Sequence, residues 1–275
     1  MKRKRILTIG MAIVMFGLSL LSCNDDKDQV RNDTYIVSQT LGKNTTIPAN
    51  STNVFDSVGA MHNTEVDKIM TELLSRYGTV NNLEASTVYE VIGSRLVSEG
   101  FYSSFSSFER EVPISFLNSI ASDTANLYSN IIRTANLSNN TKSYLNRLFS
   151  TLEDKAQTTD NYLVFKNSIM EIERDIIGTN TLSTSEKNCL LKTTSIARYS
   201  IYYWFYFENE LPTKNKISIW DRIAVAGADI AAFAVTENLG VAVAVSSFVK
   251  SMIEWDKSGK PNPQQPVDTN KNGGK

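Results

Sequence analysis

Histidine and cysteine are nearly absent. The 275 residues hold one histidine, His62, and two cysteines, Cys23 and Cys189. Zinc sites and the carboxylate-bridged di-iron sites of helical bundles draw on several His or Cys ligands, so no metal centre of these kinds is expected. A catalytic thiol needs an imidazole beside it, and Cys189, set between Asn188 and Leu190 in a helical pattern, reads as a buried, inert thiol. An EF-hand calcium loop, a Gly-x-Ser-x-Gly elbow, a phosphate-cradling glycine loop before a lysine and a dinucleotide fingerprint are all missing. No cofactor is implied, and no catalytic residue is assigned.

Clusters of basic charge are absent beyond Lys2, Arg3, Lys4 and Arg5. Nucleic acid and anionic headgroups bind through such clusters, so nucleic acid is not an expected partner. After the four basic residues comes an uncharged, mostly apolar run from Ile6 to Leu21 that ends in Leu20-Leu21-Ser22-Cys23. A basic start, a short apolar stretch and a small residue before cysteine make the layout of a secretory signal, and a retained membrane helix would be longer. The run resembles the lipobox of bacterial lipoprotein precursors. That resemblance implies removal of residues 1–22 and acylation of Cys23, with the bilayer as a partner. The remaining chain then carries 24 Lys plus Arg against 29 Asp plus Glu, a formal charge of about −5. Cys189 would be left alone, with no intrachain disulfide to form.

Asn24-Asp25-Asp26-Lys27-Asp28 comes next. It is similar to the acidic segment behind the acylated cysteine in Bacteroidota lipoproteins, which implies an outer-membrane, surface-exposed address; the plain alternative is a solvated tether. Residues 23–53 as a whole, rich in Asn, Thr and Ser, read as a polar tether with a short extended piece near Tyr35-Ile36-Val37. Residues 258–275 read as a disordered polar tail. Between the tails, residues 54–257 form one domain, long enough to bury a real core.

Within that domain apolar residues recur at helical spacing, which predicts an all-α fold, a bundle of about seven or eight helices with an Ala/Val-rich C-terminal hairpin. A first helix runs from Asp56 to Gly78, and a second from Ser86 to about Gly100. Phe101 to Pro113 has no clear period and is expected to be loop or irregular helix. Asp123–Ala135, Ser138–Asp154 and Thr159–Ile177 read as three amphipathic helices, with Ser138 and Thr159 as N-caps. Glu171, Glu173 and Asp175 on the last of these read as a solvated face. Ser183-Thr184-Ser185-Glu186 is a capping-box pattern opening a long helix to about Phe207.

The segment 223–249 is dense in Ala and Val. Asp229, Glu237 and Asn238 interrupt it, and an aspartate at a bilayer centre costs about 2.5–3.5 kcal/mol. Two helices, Trp220–Thr236 and Leu239–Trp255, turning at Glu237-Asn238, are expected to pack as a central hairpin, small residues at four-residue steps letting the backbones approach. The alternative is a toxin-like hairpin that leaves the core and enters a membrane.

His62, Asn63 and Asp229 are the candidate polar site, with a structural locking role expected of His62 and Asn63 because no nucleophile or ligand set accompanies them. Val58-Gly59-Ala60-Met61-His62-Asn63 and the Ala-rich stretch are similar to a group of helical Bacteroidota lipoproteins without an assigned activity. Asp56-Ser57-Val58 and Asp123-Thr124-Ala125 resemble the short O-glycosylation sequon of that phylum, which implies modification at Ser57 and Thr124. Each triplet also reads as a helix N-terminus, where the Asp and hydroxyl side chains accept backbone amides. The expected function is an envelope-anchored lipoprotein with a non-enzymatic binding or structural role and an unidentified protein or ligand partner. A carboxylate-dependent hydrolase stays open as well, because paired acids leave no local signature.

Overall fold

The computed structural model describes residues 48–78, 83–122, 132–133, 135–206 and 218–257, with side chains up to residue 252. The described residues form nine α-helices and no strand: α1 (Asp56–Tyr77), α2 (Ala85–Ser98), α3 (Phe105–Glu111), α4 (Ile114–Ser122), α5 (Asn139–Thr158), α6 (Tyr162–Gly178), α7 (Thr184–Tyr206), α8 (Ile219–Thr236) and α9 (Leu239–Lys257). The all-α fold expected from helical periodicity is the fold found.

Local chemistry sets most of the boundaries. Gly78 stops α1 in the left-handed region at φ 72°, its N–H closing back onto the Leu74 carbonyl. At the start of α7 the Ser183 hydroxyl accepts from the Glu186 N–H, and the Glu186 carboxylate accepts from the Ser183 N–H at 2.7 Å, as the capping-box pattern requires. The hairpin of α8 and α9 turns at Glu237, which takes φ 49°.

Three expectations need correction. Phe101–Pro113 is not irregular throughout, because Ser104 and Ser107 form a reciprocal capping box that starts α3 and drives Phe108 into the core. Serine stands here where the pattern usually has Glu or Gln, so the start carried no recognisable signature. Thr159 does not cap α6. It closes α5, and its hydroxyl accepts from the Asn161 N–H while Asn161 takes the cap by accepting from Leu163. Nor does Asp56 cap α1; its carboxylate reaches α7 instead. The expected helix 123–135 lies outside the described residues except for Ile132, Arg133 and Ala135, as do residues 1–47 and 258–275 entirely.

α7, α8 and α9 form the inner layer. Residues 193–205 of α7, 225–234 of α8 and 240–251 of α9 are buried on every side. α7 packs against α1, α5, α6 and α8, whereas α9 packs against α1, α2, α4 and α8. A helix so enclosed cannot keep a polar stripe in water, so each polar side chain on it must find a partner inside. The small residues of the hairpin, Ala226, Ala228, Ala232, Ala242 and Ala244, are fully buried and allow the two backbones to lie close. No described helix is long and apolar enough to cross a membrane.

Candidate functional site

Four helices meet at Asp229. This residue of α8 is fully buried, and its Oδ2 accepts from Ser200 of α7 at 2.5 Å and from Ser246 of α9 at 2.9 Å. His62 of α1, also buried, brings its Nε2 to 3.6 Å from the same oxygen. The Asn63 carboxamide donates to the Tyr199 carbonyl at 2.5 Å, which turns its oxygen toward His62 Nδ1 at 3.2 Å. That orientation assigns the proton of the neutral ring to Nδ1 and leaves Nε2 with a lone pair facing Asp229.

Burial disfavours charge on both groups. It holds the His62 imidazole down at about 4, against the opposing pull of hydrogen bonds to Asn63 and the Ala242 backbone. It drives the Asp229 carboxyl well above the usual carboxylate range, although bonds from Ser200, Ser246 and Trp204 favour the ionised form. Above its lowered value the imidazole is uncharged, and the buried carboxyl beside it resists giving up its proton.

A second polar node lies on the α1 side of α7. Arg198, wholly buried, sets Nε at 3.1 Å from both carboxylate oxygens of Glu173 on α6. Its remaining nitrogens donate to Asp56 Oδ1 at 2.5 Å and to the Pro48 carbonyl. Burial opposes the guanidinium charge, but Glu173 and Asp56 outweigh it and leave Arg198 held above its ordinary range. Glu173 accepts in addition from Asn50 at 2.7 Å, Asn53 at 2.6 Å and Thr194 at 3.0 Å, while Asp56 Oδ2 accepts from the Tyr199 hydroxyl at 3.0 Å. A buried carboxylate with this many donors is satisfied in the manner that a low-dielectric interior demands.

Between the nodes, α1 crosses α7 at Gly59. A Cβ there would stand 2.5 Å from the Ser195 carbonyl oxygen, and the Gly59 N–H donates to the Ser195 hydroxyl at 3.1 Å. That hydroxyl donates in turn to the Asp56 carbonyl at 2.9 Å. The close crossing brings Asp56 to Arg198 on α7 and, six residues further along α1, His62 to Asp229 on α8.

Of the residues singled out by sequence, His62, Asn63 and Asp229 are thus gathered at one place, from α1 and α8. Cys189 is buried, with its sulfur 3.9 Å from the Ala234 carbonyl. Ser57 is exposed in the first turn of α1; Cys23 and Thr124 lie outside the described residues. Glu173 corrects the expectation of a solvated acidic face. Glu171 and Asp175 are about half exposed or more, but Glu173 turns inward to Arg198. Asn50 and Asn53, placed in the polar tether, are buried against Glu173, so the packed structure begins by Pro48. Neither Arg198 nor its strap of asparagines was legible in the sequence. A lone Arg inside the apolar-aromatic run of α7 was the available signal.

The arrangement is suited to fastening helices. Ser200 donates its hydrogen bond to Asp229 rather than to His62, and all three of these side chains are buried. Among the described residues no group of three or more His, Cys, Asp or Glu side chains is placed to hold a metal. A shallow surface depression of about 500 Å³ lies elsewhere, along α1 and α2, where Lys68, Glu72, Arg76 and Arg95 are tied up in ion pairs with one another and with Glu65 and Glu99. No family model, no curated protein and no solved structure matches the chain.

Proposed function

We propose that this chain is a lipid-anchored lipoprotein of a bacterial cell envelope, at the outer membrane and exposed at the surface, whose helical domain has a non-enzymatic binding or structural role. The observation that carries the reading is the run Leu20-Leu21-Ser22-Cys23 behind a basic and then apolar leader. Two or more acyl chains on Cys23 hold a protein stably to a bilayer, each buried CH₂ contributing about 0.8 kcal/mol. The domain then needs no membrane-binding surface of its own. The non-enzymatic part of the reading is supported by where the polar chemistry sits: His62, Asp229, Arg198 and Glu173 are turned inward and occupied with one another or with neighbouring helices. The hairpin α8–α9 weighs against membrane entry, because it carries Asp229, Ser246, Ser247 and Lys250 along with its alanines and valines. A hydrolase reading would draw on paired acids in an open cleft, and the acid pair of Glu173 and Asp56 is instead neutralised by Arg198. Ser57, exposed beside Asp56, and Thr124 are the proposed O-glycosylation positions.

Fractionation of cells expressing the full chain tests the anchor. The wild type is expected in the membrane fraction. Cys23→Ala is expected to lose acyl labelling and to accumulate as unprocessed precursor; equal labelling of both chains would contradict the reading.

A further inference from the structure

We propose that Arg198, Glu173 and Asp56 form a peptide-binding cradle, filled in this structure by the chain's own residues 48–53, whose ligand class is a polar peptide with the pattern Pro-x-Asn-x-x-Asn. The recognition is laid out along six residues. Arg198 donates to the Pro48 carbonyl, Asp56 Oδ1 accepts from the Asn50 N–H at 3.1 Å, and the two oxygens of Glu173 each accept from one carboxamide, Asn50 at 2.7 Å and Asn53 at 2.6 Å. Asn53 also donates to the Leu191 carbonyl at 2.8 Å. Thus the main chain and both asparagines are read, while Ala49, Ser51 and Thr52 face solvent. Charge-assisted bonds of this kind are directional, so they select carboxamides at a set spacing rather than any polar segment.

The cradle is built to persist when the segment leaves. Arg198 keeps its two bonds to Glu173 and its bond to Asp56, and Thr194 and Tyr199 go on donating to the two carboxylates. The segment, by contrast, contributes no large apolar side chain to the core, so its hold is polar and its release gives those groups back to water. Val54, 80 % exposed, is the link to α1, and opening there also breaks the bonds that the Phe55 and Asp56 N–H groups donate to Asn53. Opening at Val54 would uncover one buried cation flanked by two carboxylates, a site that accepts carboxamide and peptide donors and offers guanidinium donors to a carbonyl. None of this depends on acylation of Cys23.

The test uses the full chain. Asn50→Asp with Asn53→Asp keeps the shape of the segment but sets two carboxylates against Glu173, which should expel it and leave the cradle open. A labelled synthetic peptide of residues 46–54 is then titrated into this variant and into the wild type, with fluorescence anisotropy as the readout. The peptide should bind the folded variant at least tenfold more tightly than the wild type, where the attached segment competes at high effective concentration. The same peptide with both asparagines replaced by alanine should not bind. A variant that stays folded and binds no peptide overturns the proposal. Native-state hydrogen exchange of the wild type provides a separate check. The amides of Asn50, Thr52 and Asn53 should open locally, ahead of the α7 amides; exchange of these amides only through global unfolding also overturns it.

Discussion

Asp229 on α8 and His62 on α1 stand 3.6 Å apart, both wholly buried, and their protonation preferences are pushed in opposite directions by the same burial. The consequence for stability has a definite sign. His62 titrates at about 4 when folded against 6.5 for the free imidazole, so its contribution is present above pH 6.5 and is lost as pH falls toward 4. Asp229 is raised, so its contribution is full below 3.8 and is lost as pH rises toward its folded value. Between about pH 4 and 6.5 the His62 gain runs against the Asp229 loss. In urea unfolding across pH, each trend taken alone changes stability by up to about 1.4 kcal/mol per pH unit, falling toward alkali for Asp229 and rising for His62. Asp229→Asn should flatten that alkaline fall. His62→Gln should gain stability relative to the wild type as pH drops from 6.5 to 4, and identical pH profiles for all three proteins would contradict the assignment.

Arg198 and Glu173 should behave as a buried pair whose members cannot be removed singly. Glu173→Gln leaves a buried guanidinium with Asp56 as its one remaining carboxylate partner, and Arg198→Met leaves Glu173 without its cation; each is expected to cost about 3–5 kcal/mol. The double variant Arg198→Met with Glu173→Leu should be less damaging than the two single effects added together. A double-mutant cycle in urea measures the coupling, and simple additivity would show that the pair does not act as a unit.

Gly59→Ala should destabilise the domain by about 1–3 kcal/mol or prevent α1 from docking, because the new methyl meets the Ser195 backbone at 2.5 Å. Gly178→Ala, where a Cβ meets nothing within 4 Å, is the matched control and should fold normally. Thermal melts of the two variants make the comparison.

Much of the fold could be read from the chain because its cues are local. The Gly78 stop, the Ser183 capping box and the turn at Glu237-Asn238 all fall where periodicity and cap chemistry put them. The pairing of His62 and Asn63 with Asp229 was only half legible: each residue stood out as a polar group in an apolar setting, but their meeting depends on the crossing at Gly59. Glu173 was misplaced for the same reason. Its neighbours Glu171 and Asp175 are solvated, and only Arg198, 25 residues away on another helix, pulls it inward. The asparagine strap looked like linker because its composition is that of a linker, and its bonds span 120 residues or more.

Glu186 joins two helices at once, accepting from Ser183 at the start of α7 and from Ser138 and Thr141 at the start of α5. Those bonds push its carboxyl down to about 2, with the Ser138 hydroxyl the largest cause. Its contribution is present above the ordinary glutamate range near 4.5 and is lost as pH falls toward 2. Glu186→Ala should lower stability at pH 7 by about 0.5–2 kcal/mol, the range for a lost cap. The deficit relative to the wild type should shrink on acidification; a deficit independent of pH would mean the carboxylate charge is not involved.

Intact mass spectrometry of the native protein, purified from its membrane fraction, tests the central functional claim most directly. A lipoprotein should give a chain that begins at residue 23 and carries glycerolipid and acyl mass on that cysteine. A chain that retains residues 1–22, or one whose Cys23 sulfur is unmodified, would contradict the proposed anchor.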